Sequence, residues 1–87
     1  MARVLVERRF DEATSFDDLQ AQEDAFAWCA EQHQVTFIRS YFSKDRKRMV
    51  CEYEAPDAEA VRRLQRTASM PFERIWTATV FDWRARP

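Results

Sequence analysis

The sequence has no glycine. Phosphate-cradling loops, dinucleotide fingerprints and nucleophile elbows all need backbone conformations that only glycine adopts cheaply. Nucleotide-loop enzymes and elbow-type hydrolases are thereby excluded, and turns must rely on Asp, Ser, Lys and Pro. Cysteine is sparse. Cys29 and Cys51 fall on different predicted elements without metal-type spacing, and no Cys-x-x-Cys loop exists for a copper-chaperone role. They read as buried free thiols in a reducing compartment. Long apolar runs are missing too. Nothing approaches the ~18–20 residues of a membrane span, and the first eight residues lack the apolar core of a signal peptide. The expectation is a cytoplasmic protein without a membrane partner. There is no excess of either charge: 14 basic residues face 15 acidic ones, a net charge of −1. That balance predicts no long-range attraction to nucleic-acid phosphates. The local clusters Arg62, Arg63, Arg66 and Arg46-Lys47-Arg48 read as solvated surface.

What the chain does hold is apolar and aromatic. Hydrophobic residues make up 46% and aromatics 14%, which excludes a disordered chain. Eighty-seven residues make one domain over 1–87. A chain this short buries only roughly 60–65% of its unfolded surface, so a lone copy is marginal and association is one remedy.

Alternation predicts a first strand over 3–10, with Val4 and Val6 on one face and Leu5 and Glu7 on the other. A helix follows from Phe16 to about Gln32, capped by Ser15, with Asp17 and Asp18 at its positive end. Its apolar stripe of Phe16, Leu19, Phe26, Cys29, Ala30 and His33 is interrupted at Gln22 and Glu23. Val35 to Ser43 and Arg48 to Glu54 read as an antiparallel pair joined by a four-residue type I turn at Lys44-Asp45-Arg46-Lys47. Asp57 caps a second helix over 58–68, whose Val61, Leu64 and Ala68 face inward. A last strand is expected over 73–83, followed by a tail over 84–87.

The order βαββαβ is that of the ferredoxin-like plait, an α+β fold with two helices on one face of a four-stranded antiparallel sheet. Yet the strands are apolar on both faces. Phe37 and Tyr41 are expected to point one way, Ile38 and Phe42 the other. On the last strand Phe81 and Trp83 oppose Trp76 and Val80. A face left in water should be polar. The expected solution is a second copy packed through the sheet face, a homodimer of the α+β barrel type.

Several segments carry a resemblance: Val6-Glu7-Arg8, Ser40-Tyr41, the run Cys51-Glu52-Tyr53-Glu54-Ala55-Pro56, then Glu59, Val61, Ala68, Pro71 and Ile75. Together they resemble a small bacterial domain family of unknown function that includes a nickel-responsive, nickel-binding protein. The resemblance spans about residues 4–80. It implies a ferredoxin-like plait, dimers, and nickel or another divalent metal as a candidate ligand. Relatives often carry glycine before the proline that follows the second helix. Here Ser69-Met70-Pro71 stands in its place, so the turn must differ.

Candidate ligand-binding residues are Glu7, His33, Tyr41, Cys51 and Tyr53, polar groups on otherwise apolar elements. Cys51 and Tyr53 share a strand face, Tyr41 on the next strand could join them, and Glu7 could complete a polar lining with Arg39 as its partner. His33 has the one side chain whose unshifted pKa lies near neutrality. It is either a ligand or proton shuttle, or a helix-end histidine favoured by the dipole. His33 with Cys51 is the candidate metal pair. The leading expectation is a small dimeric protein holding a small molecule or a metal between sheet and helices. The alternative is a cofactor-independent enzyme, of monooxygenase or cyclase type, using His33 and a tyrosine in acid–base roles. RNA binding is disfavoured: the strand that would carry stacking aromatics, Arg48 to Tyr53, has one aromatic, one acid and no glycine.

Overall fold

The structure is a computed structural model that describes residues 1–85. Within them the order is β1 (Ala2–Arg9), α1 (Phe16–Asp24), α2 (Ala27–Gln32), β2 (Thr36–Phe42), β3 (Arg48–Ala55), α3 (Ala58–Thr67) and β4 (Arg74–Ala78). A 3₁₀ turn, Trp83–Ala85, closes the described chain. The tail expected over 84–87 thus lies partly outside the described residues. The sheet runs β2-β3-β1-β4, antiparallel throughout, as the ferredoxin-like plait requires.

The β1 alternation holds, with one addition. Val4, Val6 and Arg8 all point to the helix side and are buried. Val6 lies between Cys51 and Ile75, and Val4 between Tyr53 and Thr77. Leu64 and Val61 of α3, Leu19 of α1 and Cys29 of α2 complete the core above them. Cys29 and Cys51 are free and buried, as their placement predicts.

Both caps form. Ser15 Oγ accepts from the Asp18 amide and Asp57 Oδ1 accepts from the Ala60 amide, satisfying helix-end donors that otherwise lack partners. The long first helix, however, is two. The Phe26 amide donates to the Glu23 carbonyl, and Phe26 takes φ −113°, ψ 22° before α2 starts. The break turns Phe26 against the core edge, where it packs on Trp28.

Three turns need left-handed backbone, and without glycine the chain places Gln34, Arg46 and Ser69 there (φ 60°, 61° and 54°). The expected Asp, Ser, Lys and Pro supply only one of them. Gln34 ends α2 and Ser69 ends α3. In both cases the next amide reaches back to close the helix, Val35 to the Ala30 carbonyl and Met70 to the Gln65 carbonyl. Ser69 thus holds a left-handed position that glycine would take at the least cost. In the β2–β3 turn, the Arg46 amide donates to the Ser43 carbonyl, while Asp45 accepts from Ser43 Oγ and the Lys47 amide.

Two expectations about the strands are corrected. A bulge between Phe37 and Arg39 shifts the register of β2. Phe37 therefore pairs with Tyr53 on the helix side, while Tyr41 pairs with Val50 on the opposite side. Phe37 and Tyr41 do not share a face. The last strand is also shorter than its pattern. Ala78 already sits opposite Arg3, so only Ala2 and Met1 remain beyond it and the ladder stops there.

Candidate functional site

Beneath the helices, the buried side chains that are not apolar form one network. Arg8 is 2% exposed. Its guanidinium donates to the Pro71 carbonyl at 2.8 Å, to Gln65 Oε1 at 2.7 Å and to the Tyr53 hydroxyl at 3.2 Å. Gln65 Nε2 also donates to that hydroxyl, at 3.3 Å, and the Tyr53 O–H donates to Glu23 Oε1. The hydroxyl thus uses its one proton and both lone pairs. Arg8 Nε has no hydrogen-bond partner among the described residues.

The electrostatics follow from burial. Desolvation raises the Glu23 pKa above its ordinary value, only partly opposed by the Tyr53 hydrogen bond and the Arg8 charge. Desolvation, reinforced by the Glu23 charge, raises the phenol of Tyr53 well above its ordinary value. Tyr53 therefore stays protonated and acts as a fixed donor to Glu23.

Glu23 and Tyr53 open onto a cavity of about 140 Å³. Gln20, Glu23 and Asp24 of α1 and Ala27 and Ala30 of α2 form one side. Val35, Phe37, Tyr53 and Leu64 form the rest. Positions 20, 23, 24 and 27 fall at three- and four-residue spacing, so they line one face across the helix break. The Phe37 ring packs tilted on Tyr53 with centroids 5.6 Å apart, which fixes the phenol.

The opposite sheet face has no helix. It carries Leu5, Tyr41, Val50 and Trp76, and a wider cleft of about 670 Å³ lies between this face and the segment from Thr79 to Arg84. Tyr41, Trp76, Val80, Phe81 and Trp83 are exposed. Charge here is paired. Glu52, nearly buried, takes Arg3 on one oxygen and Arg39 at 3.3 Å on the other. Glu7 accepts from Trp76 Nε1 at 2.7 Å, with Arg74 at 3.9 Å.

The five candidate residues are thus split between two sides of the sheet. Tyr53 and Cys51 lie under the helices, and only Tyr53 lines the cavity. Cys51 is buried, with Ser40 Oγ donating to its sulfur at 3.1 Å. Glu7 and Tyr41 lie on the open face, Tyr41 because of the bulge. Arg39 serves Glu52 rather than Glu7. His33 is the C-cap of α2 and is not part of the cavity wall. Of the α3 arginines, Arg63 and Arg66 are exposed as expected, whereas Arg62 is half-buried and donates to the Ile75 carbonyl at 3.2 Å; all three lie within 3.8 Å of Glu59.

Three members of the buried network were absent from the candidates. Arg8 is in phase with Val4 and Val6, and an arginine on a buried strand face must find partners. Gln65 sits four residues after Val61, inside the α3 stripe. Glu23 is one of the two residues that interrupt the first helical stripe. The other, Gln22, donates to the Ala68 and Ser69 carbonyls at 2.7 and 3.3 Å, tying α1 to the end of α3.

A family profile described as "nickel responsive protein SCO4226-like" matches residues 5–77. The chain belongs to this family. Among solved structures it matches that of SCO4226 from Streptomyces coelicolor A3(2), with a TM-score of 0.80 and 21% identity over 93% of this chain and 100% of that one. At that identity the likeness speaks for the fold. Comparison with curated proteins gives no significant match.

The SCO4226-like description raises the question of a metal, and the donor set answers for this chain. Tight transition-metal sites generally take three or four protein ligands. Among the described residues, no three His, Cys, Asp or Glu side chains gather to hold an ion. Neither His33 nor Cys51, the candidate pair, belongs to such a group. The residues of one chain therefore do not fit a resident nickel ion. Among the described residues no helix is long and apolar enough to cross a membrane.

Proposed function

We propose that this protein binds a small organic molecule in the cavity between α1, α2 and the sheet, and does so as a homodimer joined through the open sheet face. The observation that carries the binding reading is the meeting of a cavity with the buried Arg8–Tyr53–Glu23–Gln65 network. A domain of this size gains little from burying an arginine and a carboxyl group, since apolar side chains of similar volume serve stability as well or better. Glu23 and Tyr53 bring the network to the cavity wall, with Arg8 and Gln65 behind them, and that placement makes sense as recognition. At about 140 Å³ the space is benzene-sized.

The dimer rests on different residues. Leu5, Val50, Tyr41 and Trp76 form an apolar strip flanked by the paired charges of Glu52 and Glu7. Two such faces related by a two-fold axis match their own composition. Sedimentation equilibrium at micromolar concentration should return twice the chain mass, and Trp76→Glu should return the chain mass. A monomer in the unsubstituted protein removes the dimer. For the ligand, native mass spectrometry should find a low-mass adduct, or NMR screening of benzene-sized fragments should shift Ala27, Ala30 and Phe37. Ala30→Phe should abolish either signal. Binding that survives Ala30→Phe places the site elsewhere.

The acid–base alternative loses its histidine, because His33 does not line the cavity.

A further inference from the structure

We infer that the helix-side cavity selects a small primary amine with an apolar body, a reading that rests on the binding function proposed above. The wall contains two carboxyl groups, Glu23 and Asp24, and no lysine or arginine. The remaining surface is Ala27, Ala30, Val35, Phe37 and Leu64, which suits a hydrocarbon body. Arg8 is screened from the space by Tyr53, whose hydroxyl stands between the guanidinium and Glu23.

The donor count agrees. Glu23 Oε1 is taken by Tyr53, while its second oxygen has no hydrogen bond among the described residues. Asp24 gives Oδ1 to Gln20 Nε2 at 2.9 Å and likewise leaves its second oxygen without a protein hydrogen bond among them. Tyr53 has no proton left to offer, because its only O–H is directed at Glu23. Apart from the second N–H of Gln20, the polar end of the cavity therefore presents acceptors. An ammonium group brings three donors and a positive charge. A carboxylate would bring only acceptors and a repelled charge, and an alcohol a single neutral donor.

The cost of desolvating Glu23 fits the same picture. Burial disfavours its ionised form, and a bound ammonium would restore the positive neighbour that the site lacks on that side. No second copy of the chain and no metal is needed for this recognition.

The test is an NMR titration of the isotope-labelled protein at neutral pH with three matched series: isobutylamine and benzylamine, the corresponding alcohols, and isobutyrate and benzoate. The amines should shift Ala27, Ala30, Val35 and Phe37 saturably and bind at least about tenfold tighter than the alcohols, the preference expected of a charge-assisted hydrogen bond. The carboxylates should leave these signals in place. Glu23→Gln should weaken the amines far more than the alcohols, so that the preference for amines is lost. Asp24→Asn, at an exposed position that does not threaten folding, should lower amine affinity severalfold. Amines and alcohols binding equally, or an amine preference that survives both substitutions, overturns the amine assignment and leaves the cavity as a binding site. Silence of the cavity residues to all three series overturns the amine assignment and counts against the binding function as well.

Discussion

Replacing Tyr53 with Phe removes one oxygen atom from the centre of the buried network and leaves the ring in place. Three hydrogen bonds are lost: one donated to Glu23 and two accepted from Arg8 and Gln65. The two accepted bonds are long, at 3.2 and 3.3 Å, and Arg8 and Gln65 keep their own contact at 2.7 Å. These two contribute modestly. The bond to Glu23 is charge-assisted and half-buried, and its loss leaves a carboxyl group without its donor, at about 1.5–3 kcal/mol. The sum is about 2–4 kcal/mol, and Glu23 can limit it by taking a proton. For a chain of this length, each kcal/mol lowers Tm by about 4–8 °C, so a fall on the order of 10–30 °C is expected. Urea unfolding followed by circular dichroism at one fixed protein concentration measures it with the mass-action contribution of any dimer held constant. The double-mutant cycle with Glu23→Gln should show a coupling of about 1 kcal/mol or more. A Tyr53→Phe protein within about 0.5 kcal/mol of the original, or additive free energies in the cycle, would refute the view that the network acts as a unit.

The same carboxyl group gives a signed pH dependence. Its folded pKa lies above the ordinary value of 4.5, chiefly through burial, so its contribution is complete below that value and lost as pH rises through the folded pKa. Denaturant titrations from pH 4 to 7 should show the original protein losing stability relative to Glu23→Gln, and the opposite slope contradicts the burial argument. Ser69 holds a left-handed conformation that costs a non-glycine residue roughly 1 kcal/mol. Ser69→Gly should raise stability by somewhat less than that, about 0.5 kcal/mol, because glycine also loses more entropy on folding. A Tm below that of the original protein would mean the Ser69 side chain makes a contribution not visible in its contacts.

Much of the fold is legible from periodicity, and the failures have identifiable causes. Val4 and Val6, the hairpin at Lys44 to Lys47, the caps Ser15 and Asp57 and the α3 stripe are all local patterns, and local physics fixes them. The register of β2 is not local. The bulge after Phe37 has no glycine or proline to mark it, yet it moves Tyr41 to the other side of the sheet and so dismantles the expected Tyr41–Cys51–Tyr53 lining. The end of β4 is set by where β1 begins, which strand alternation cannot register. The site itself was hidden for a simpler reason. Arg8, Gln65 and Glu23 are residue types normally assigned to solvent, although each stands in phase with a buried track. Reading such residues as interruptions of a stripe discards the signal that they carry.

The helical layer is held unevenly, and this has a dynamic consequence. α3 buries Val61, Leu64 and Gln65, whereas α1 buries Leu19 and α2 buries Cys29. What else holds α1 is polar: Glu23 to Tyr53 and Gln22 to the carbonyls after α3. The break at Phe26 further uncouples α1 from α2, since helical cooperativity stops where the ladder does. Segments with few buried apolar contacts open locally at lower free energy than the core. α1 and α2 form one wall of the cavity, so their opening is the route by which a ligand enters without unfolding the sheet. Hydrogen exchange should therefore find amides of α1 and α2 exchanging well before those of α3 and β1. Tyr53→Phe should speed α1 further and leave the rank order of the sheet amides intact. Bound ligand should slow α1 and α2 selectively. Uniform protection across all three helices would mean that the layer opens only with global unfolding, and entry to the cavity would then need a different path.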